Sequence, residues 1–313
     1  MKERLLVITG PTAVGKTNIS IKLAQDLYGE IISADSMQIY KYMDIGTAKI
    51  SRDEMEGINH HLINIIYPDE DFTVSNYKSR ATELITQINA KGKLPIVVGG
   101  TGLYINSLVY KLKFTKVPPN EELRTKYELL ADTYGNEYIH NELAKVDKVS
   151  SEKIHIADRR RIIRALEVFY ITGKSMSEYN ENFRKEVDKY DLAMICLNMD
   201  RDKLYERINK RVDIMIDKGL IREVKSIINM GYSKELVALQ GIGYKEIIMY
   251  LDGDISLDRA IEMIKQGSRN YAKRQLTWFR RDKRYKWINI DDFSNLQELS
   301  NYINGYVSTR IKM

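Results

Sequence analysis

Eight residues near the amino terminus carry the clearest chemistry in the chain. Gly10-Pro11-Thr12-Ala13-Val14-Gly15-Lys16-Thr17 has the spacing G-x-x-x-x-G-K-[ST]. Gly10 and Gly15 let the backbone curl so that successive N–H groups point inward, as phosphate oxygens require. A helix opening at the end of the motif would add its partial positive end. Lys16 supplies a point charge, and the Thr17 hydroxyl is a ligand of the kind Mg2+ takes. The bland alternative is a glycine-rich turn with a threonine cap. An apolar run before the motif and a helical pattern after it favour the phosphate site.

Two further clusters sit where the same site would need them. Asp35 directly follows the apolar run Ile31–Ala34. A carboxylate there could hold Mg2+ through water, act as a general base, or simply cap the turn that follows. Gly99-Gly100-Thr101-Gly102-Leu103-Tyr104 follows a third apolar run and presents Thr101 beside three glycines that admit a ligand close to the backbone. Arg207 and Arg211 are spaced i,i+4 on a helical pattern and share one face.

The elements that must position these residues are legible as short apolar runs between helical patterns. Leu5–Thr9, Glu30–Ala34, Leu94–Val98, Ala193–Met199 and, more weakly, Lys286–Ile290 read as strands. Continuous apolar strands separated by helices imply a parallel sheet covered on both faces. Helices are expected over Thr17–Tyr28, Arg201–Lys218, Leu220–Met230 and Leu257–Arg281. In an open sheet of this kind ligands bind outside the carboxyl ends of the strands, where all three clusters fall. The expected fold is therefore an α/β, P-loop NTPase-like parallel sheet flanked by helices. The stretch after Val117-Pro118-Pro119 has charged helical patterns and no strand candidate until Ala193. That predicts a core of residues 1–116 and 189–313, with an all-helical insertion over 117–188.

Composition bounds the rest. The chain has 313 residues, 43% hydrophobic and 29% charged, with 5 Pro and 18 Gly, which excludes disorder and collagen-like structure. Cys196 is the only cysteine, so no internal disulfide and no cysteine zinc site can form. That fits a reducing compartment. With no export or membrane-spanning pattern, a cytoplasmic protein free of membrane contact is expected. His60 and His61 are adjacent and point in different directions, a poor start for a zinc site. His140 and His155 suit surface or capping roles, and Cys196 suits a core strand.

The net charge of +6, from 49 Lys+Arg against 43 Asp+Glu, is not spread evenly. Arg259–Trp287 holds ten basic residues against Glu262 and Asp282, so this stretch carries +8 and the remainder −2. Arg269, Lys273 and Arg280 fall near one helical stripe suited to a phosphate backbone. Trp278 and Trp287 lie there too, more in keeping with packing inward. Arg159, Arg160, Arg161 and Arg164 form a second basic group; Arg160 and Arg164 share a face, while Ile162, Ile163 and Leu166 should pack.

In order along the chain, GPTAVGKT (10–17), DSMQIY (35–40), MDIGTAK (43–49), FTVSNY (72–77), GGTGLY (99–104), DRRRIIRALE (158–167), QGIGYKE (240–246) and YAKRQLTWFR (271–280) resemble the bacterial tRNA dimethylallyltransferases, or tRNA isopentenyltransferases. The resemblance spans essentially the whole chain and departs at no key position. It implies transfer of a dimethylallyl group from dimethylallyl diphosphate to N6 of the adenosine 3′ of the anticodon, with Mg2+ as cofactor. Asp35 would be the general base, with Thr101 and Lys16 completing the catalytic set. Gly10, Pro11, Thr12, Ala13, Val14, Gly15, Lys16, Thr17 and Arg211 would hold the diphosphate, with Thr17 at the metal. The tRNA would meet Asp35, Ser36, Met37, Gln38, Thr101, Arg124, Arg160, Arg161, Ile162, Ile163, Arg164, Gln240, Tyr244, Lys245, Lys273, Arg274, Gln275 and Arg280, the protein acting as a monomer. A P-loop kinase of a small molecule or nucleoside explains the loop and Asp35 but leaves the basic stretch idle. An adenylate isopentenyltransferase acting on AMP leaves the same stretch and the Arg160–Arg164 group without purpose. A non-catalytic RNA-binding protein has no need of Gly15-Lys16-Thr17.

Overall fold

The computed structural model describes residues 2–112, 117–179 and 185–312. β1 (Glu3–Thr9) runs through the phosphate loop into α1 (Lys16–Asp26), followed by β2 (Gly29–Ser33) and a two-residue β3 (His60–His61). Next come α2 (Val74–Ala90), β4 (Leu94–Gly99) and α3 (Gly102–Val109). Among the described residues five helices follow without a strand: α4 (Glu121–Tyr134), α5 (Asn136–Val146), α6 (Lys148–Lys153), α7 (Arg159–Thr172) and α8 (Met176–Tyr179). The chain returns with β5 (Tyr190–Asn198), α9 (Arg201–Asp217), α10 (Leu220–Asn229), α11 (Tyr244–Leu251), α12 (Leu257–Phe279), β6 (Lys286–Asn289) and α13 (Leu296–Arg310).

The strands form one sheet in the order β3-β2-β4-β1-β5-β6, every neighbouring pair parallel. The five expected strands are all present. β3 escapes a sequence reading because two residues make no run; its pairing of His60 with Ile31 and His61 with Ile32 is purely tertiary. Alternation explains why the strands are apolar throughout. Leu6 and Ile8 of β1, Ile96 of β4 and Ile195 and Leu197 of β5 join α1 and α13 in one core. Their neighbours along each strand serve the opposite face. Cys196, wholly buried in β5, has its thiol pushed up to about 12 by burial, so it is inert as a nucleophile.

The chain divides into two compact units, Met1–Leu108 with Asp188–Met313, and Val109–Val187. The expected break after residue 116 falls at residues 113–116, which lie outside the described residues. Within the helical unit Tyr127, Ile139, Leu143, Ile162 and Leu166 form the core. Its buried Glu167 accepts from the Asn120 amide (2.7 Å), Arg124 Nε (2.9 Å) and the Arg164 guanidinium.

Candidate active site

β2, β4 and β1 are sheet neighbours, so their carboxyl ends bring Asp35, the Gly99–Thr101 turn and the phosphate loop side by side. In the loop, Gly15 takes φ +97°, a left-handed conformation that suits glycine, and no side chain caps α1 behind it. The first amides of α1 are left open for an anion. Lys16 Nζ donates to the Gly10 (3.0 Å) and Pro11 (2.8 Å) carbonyls, along the inside of the loop. Removal from water, with Arg211 nearby, lowers its pKa to about 8.

Asp35 does two things at once. Its Oδ1 accepts from the amides of Met37 (2.8 Å) and Gln38 (3.3 Å), the turn-capping role open from the sequence, and its carboxylate also lines two cavities. Across from it, Thr101 Oγ1 accepts from the Ser36 amide (3.0 Å). Gly99 lies against β2 so closely that a Cβ would fall 2.2 Å from the Ala34 carbonyl oxygen. Only glycine therefore lets the two strand ends meet.

Gln275, on α12, ties the loops together. Its Oε1 accepts from the Thr12 amide (2.9 Å), and its Nε2 donates to the Gly100 carbonyl (3.0 Å). Tyr271, one turn earlier, has its hydroxyl within bonding reach of Thr101 and Gln275; burial, with Asp35 adding to it, raises that hydroxyl to about 12.

The two cavities share Thr12, Asp35, Arg211 and Tyr271. One, of about 380 Å³, is lined by the phosphate loop with Lys16, Arg207, Lys210 and Arg211. The other, of about 430 Å³, is walled by Met37, Ile208, Val212, Met215, Ile242 and Ile264, with Gln240, Lys245 and Arg274 among its polar residues. Asp35 thus stands between a cationic chamber and a largely apolar one. The Arg211 guanidinium donates to the Thr47 carbonyl (3.4 Å); burial lowers its pKa, and Asp35 opposes that shift.

Of the residues expected to meet RNA, Arg160, Arg161, Gln240, Lys245, Lys273, Arg274 and Arg280 are exposed. Others are buried, although Tyr244 and Gln275 still line the cavities. Ile162 and Ile163 are core residues of the helical unit, because α7 turns its apolar stripe inward. Tyr244 is buried with its hydroxyl donating to Glu223 (2.7 Å), and Gln275 is the buried tie just described. Arg124 and Arg164 are engaged with Glu167. Arg269 does not join the exposed stripe: its guanidinium is held by Asn209 (2.6 Å), Glu262 (2.9 Å) and Gln266 (2.7 Å). Trp278 packs against Gly102. His61 Nε2 is paired with Glu30 (2.8 Å), and His140 Nε2 lies 3.0 Å from the carbonyls of Ser151 and Ile154, a capping role. Among the described residues no group of three or more His, Cys, Asp or Glu could hold a metal, and no helix is long and apolar enough to cross a membrane.

A parallel sheet flanked by helices, with a phosphate loop after its first strand, defines a P-loop NTPase-like protein. Comparison with known proteins narrows this. Residues 38–282 match the family described as IPP transferase. A tRNA dimethylallyltransferase of Acetivibrio thermocellus is 51% identical over 307 residues, 98% of each chain. The crystal structure of the full-length tRNA isopentenylpyrophosphate transferase of Bacillus halodurans superposes with a TM-score of 0.71 at 44% identity, over 99% of this chain and 98% of that one. A eukaryotic dimethylallyltransferase acting on tRNA gives a TM-score of 0.81 at 32% identity, over 99% of this chain and 81% of that one. The chain belongs to the IPP transferase family, and so to the prenyltransferase enzymes. The family match begins after the phosphate loop, so the loop and the match are separate observations.

Proposed function

We propose that the chain transfers the dimethylallyl group of dimethylallyl diphosphate to N6 of the adenosine 3′ of the anticodon in tRNA. The observation that carries this reading is the meeting of a cationic and an apolar chamber at Asp35. The diphosphate lies against the loop amides, Lys16 and Arg211, and the target base enters from the apolar side, out of its stack. As N6 bonds to the allylic carbon, the carbon–oxygen bond to the diphosphate breaks and pyrophosphate leaves with the electron pair. The N6 proton passes to Asp35. General-base help of this kind is worth roughly 10²–10⁴-fold, and the fixed cations stabilise charge on the leaving group. Thr101 and Ser36 fix the wall beside the reacting atoms.

The hard oxygen donors on the same chamber, Thr17 and Asp35, suit Mg2+, which when bound supplies further neutralisation of the diphosphate. Arg160, Arg161, Lys273, Arg274 and Arg280 carry the phosphate contacts to the anticodon stem–loop. The enzyme works as a monomer in the cytoplasm, where Cys196 stays a thiol. Incubation with labelled dimethylallyl diphosphate and either tRNA or AMP, with ATP hydrolysis as control, tests this. Label in tRNA alone is expected. Label in AMP, or ATP turnover without transfer, would overturn it.

A further inference from the structure

The Glu223 carboxylate, on α10, lines neither chamber, yet it accepts four hydrogen bonds. Its Oε2 accepts from the amides of Asp44 (2.9 Å) and Ile45 (2.7 Å), and its Oε1 from the Gly46 amide (3.0 Å) and the Tyr244 hydroxyl (2.7 Å). Three successive amides converging on one anion form a nest of the sort that elsewhere holds phosphate, here filled by the protein's own side chain. The far end of this loop is clamped by Lys49, whose Nζ donates to the Tyr40 carbonyl (2.7 Å), Asp44 Oδ1 (2.7 Å) and Asn64 Oδ1 (2.6 Å). Between the clamps lies Thr47, whose carbonyl accepts from Arg211 (3.4 Å) and Gln38 (3.4 Å). The loop is thus a short strap with a carboxylate at one end and Arg211 hung from its middle.

We propose that Glu223 is a positioning residue: through the strap and the Thr47 carbonyl it sets the orientation in which Arg211 meets the diphosphate. The proposal deepens, and rests on, the diphosphate assignment made above. A neutral amide at 223 would put donors against the converging N–H groups, loosen the strap and free the guanidinium to turn. An arginine fork that must meet a diphosphate in a fixed plane is sensitive to such a turn.

The test is a double-mutant cycle read by calorimetry with inorganic pyrophosphate and Mg2+. Glu223→Gln is expected to weaken pyrophosphate about 10-fold, and Arg211→Lys, which keeps the charge but loses the fork, about 30-fold. The double variant should bind no worse than Arg211→Lys alone, within about twofold, because Glu223 acts through the residue already replaced. Multiplying effects, about 300-fold in the double variant, would overturn the proposal and make Glu223 a general stabiliser. Should Glu223→Gln fail to fold, Tyr244→Phe removes one of the four donors; its expected loss of about threefold must likewise vanish in the Arg211→Lys background. No pyrophosphate binding by the unaltered chain would overturn the diphosphate assignment and this proposal together. Pyrophosphate binding without transfer of label to tRNA would overturn the proposed reaction alone.

Discussion

The two chambers that meet at Asp35 recognise their contents by different physics. The first is built from backbone amides and four cations, Lys16, Arg207, Lys210 and Arg211. Its selectivity is for negative charge, and it tolerates variety in whatever the charge is attached to. The second is built from Met37, Ile208, Val212, Met215, Ile242 and Ile264. Its walls select by shape and apolar contact, with Lys245 and Arg274 among its polar residues. A reaction that expels a charged leaving group from an apolar fragment needs both, and it needs the proton acceptor on the wall between them.

The sharpest way to break this division is at the wall. Asp35→Asn should lower transfer by at least about 100-fold while pyrophosphate and tRNA still bind; near-normal turnover in a labelled-substrate assay would remove Asp35 as the base. Next in size is the apolar side. Met215→Trp should reduce kcat/KM about 10-fold by filling the second chamber, with the pyrophosphate dissociation constant unchanged within about twofold. Equal losses in both measurements would mean the chambers are not separable.

A smaller effect should appear with pH. Lys16 has its pKa lowered to about 8, so in the free enzyme it holds its charge below pH 8 and loses it above. Pyrophosphate affinity should therefore fall a few-fold from pH 7 to pH 9 (about one logarithmic unit at most). Lys16→Arg, charged throughout, should flatten that dependence, and an identical profile in calorimetric titrations would refute the assignment. The smallest effect lies outside both chambers. Lys273→Ala should weaken tRNA binding modestly and reduce the salt slope of log affinity by about one. A filter-binding series across salt concentrations measures this, and an unchanged slope would take Lys273 off the RNA path.

The same contrast explains what the sequence discloses. The charged chamber is legible because its core is a contiguous motif, and because apolar runs place Asp35 and Gly99–Thr101 at the ends of neighbouring strands. The apolar chamber is not. Ile208, Val212 and Met215 lie on one stripe of α9, and Ile264 lies on a similar stripe of α12. Helical periodicity says only that such residues turn away from water, whether they pack solidly or leave a hollow. Gln275 and Tyr244 illustrate a related limit. Both sit in segments that resemble tRNA-contacting motifs, yet tertiary packing uses their polar atoms internally. Glu223 gives no signal at all in sequence, since a lone glutamate on a helix is ordinarily a solvated residue. The amides that mark it out come from residues about 180 positions earlier.

The bond between the Thr12 amide and Gln275 spans 263 positions. A ribosome delivers the phosphate loop long before its tie. Until α12 has emerged, the Thr12 amide and the Gly100 carbonyl lack the side chain that joins them. Every truncated product ending before that helix is therefore a chain with a recognisable motif and an unfinished donor site. Translation through α12 is what completes the chemistry.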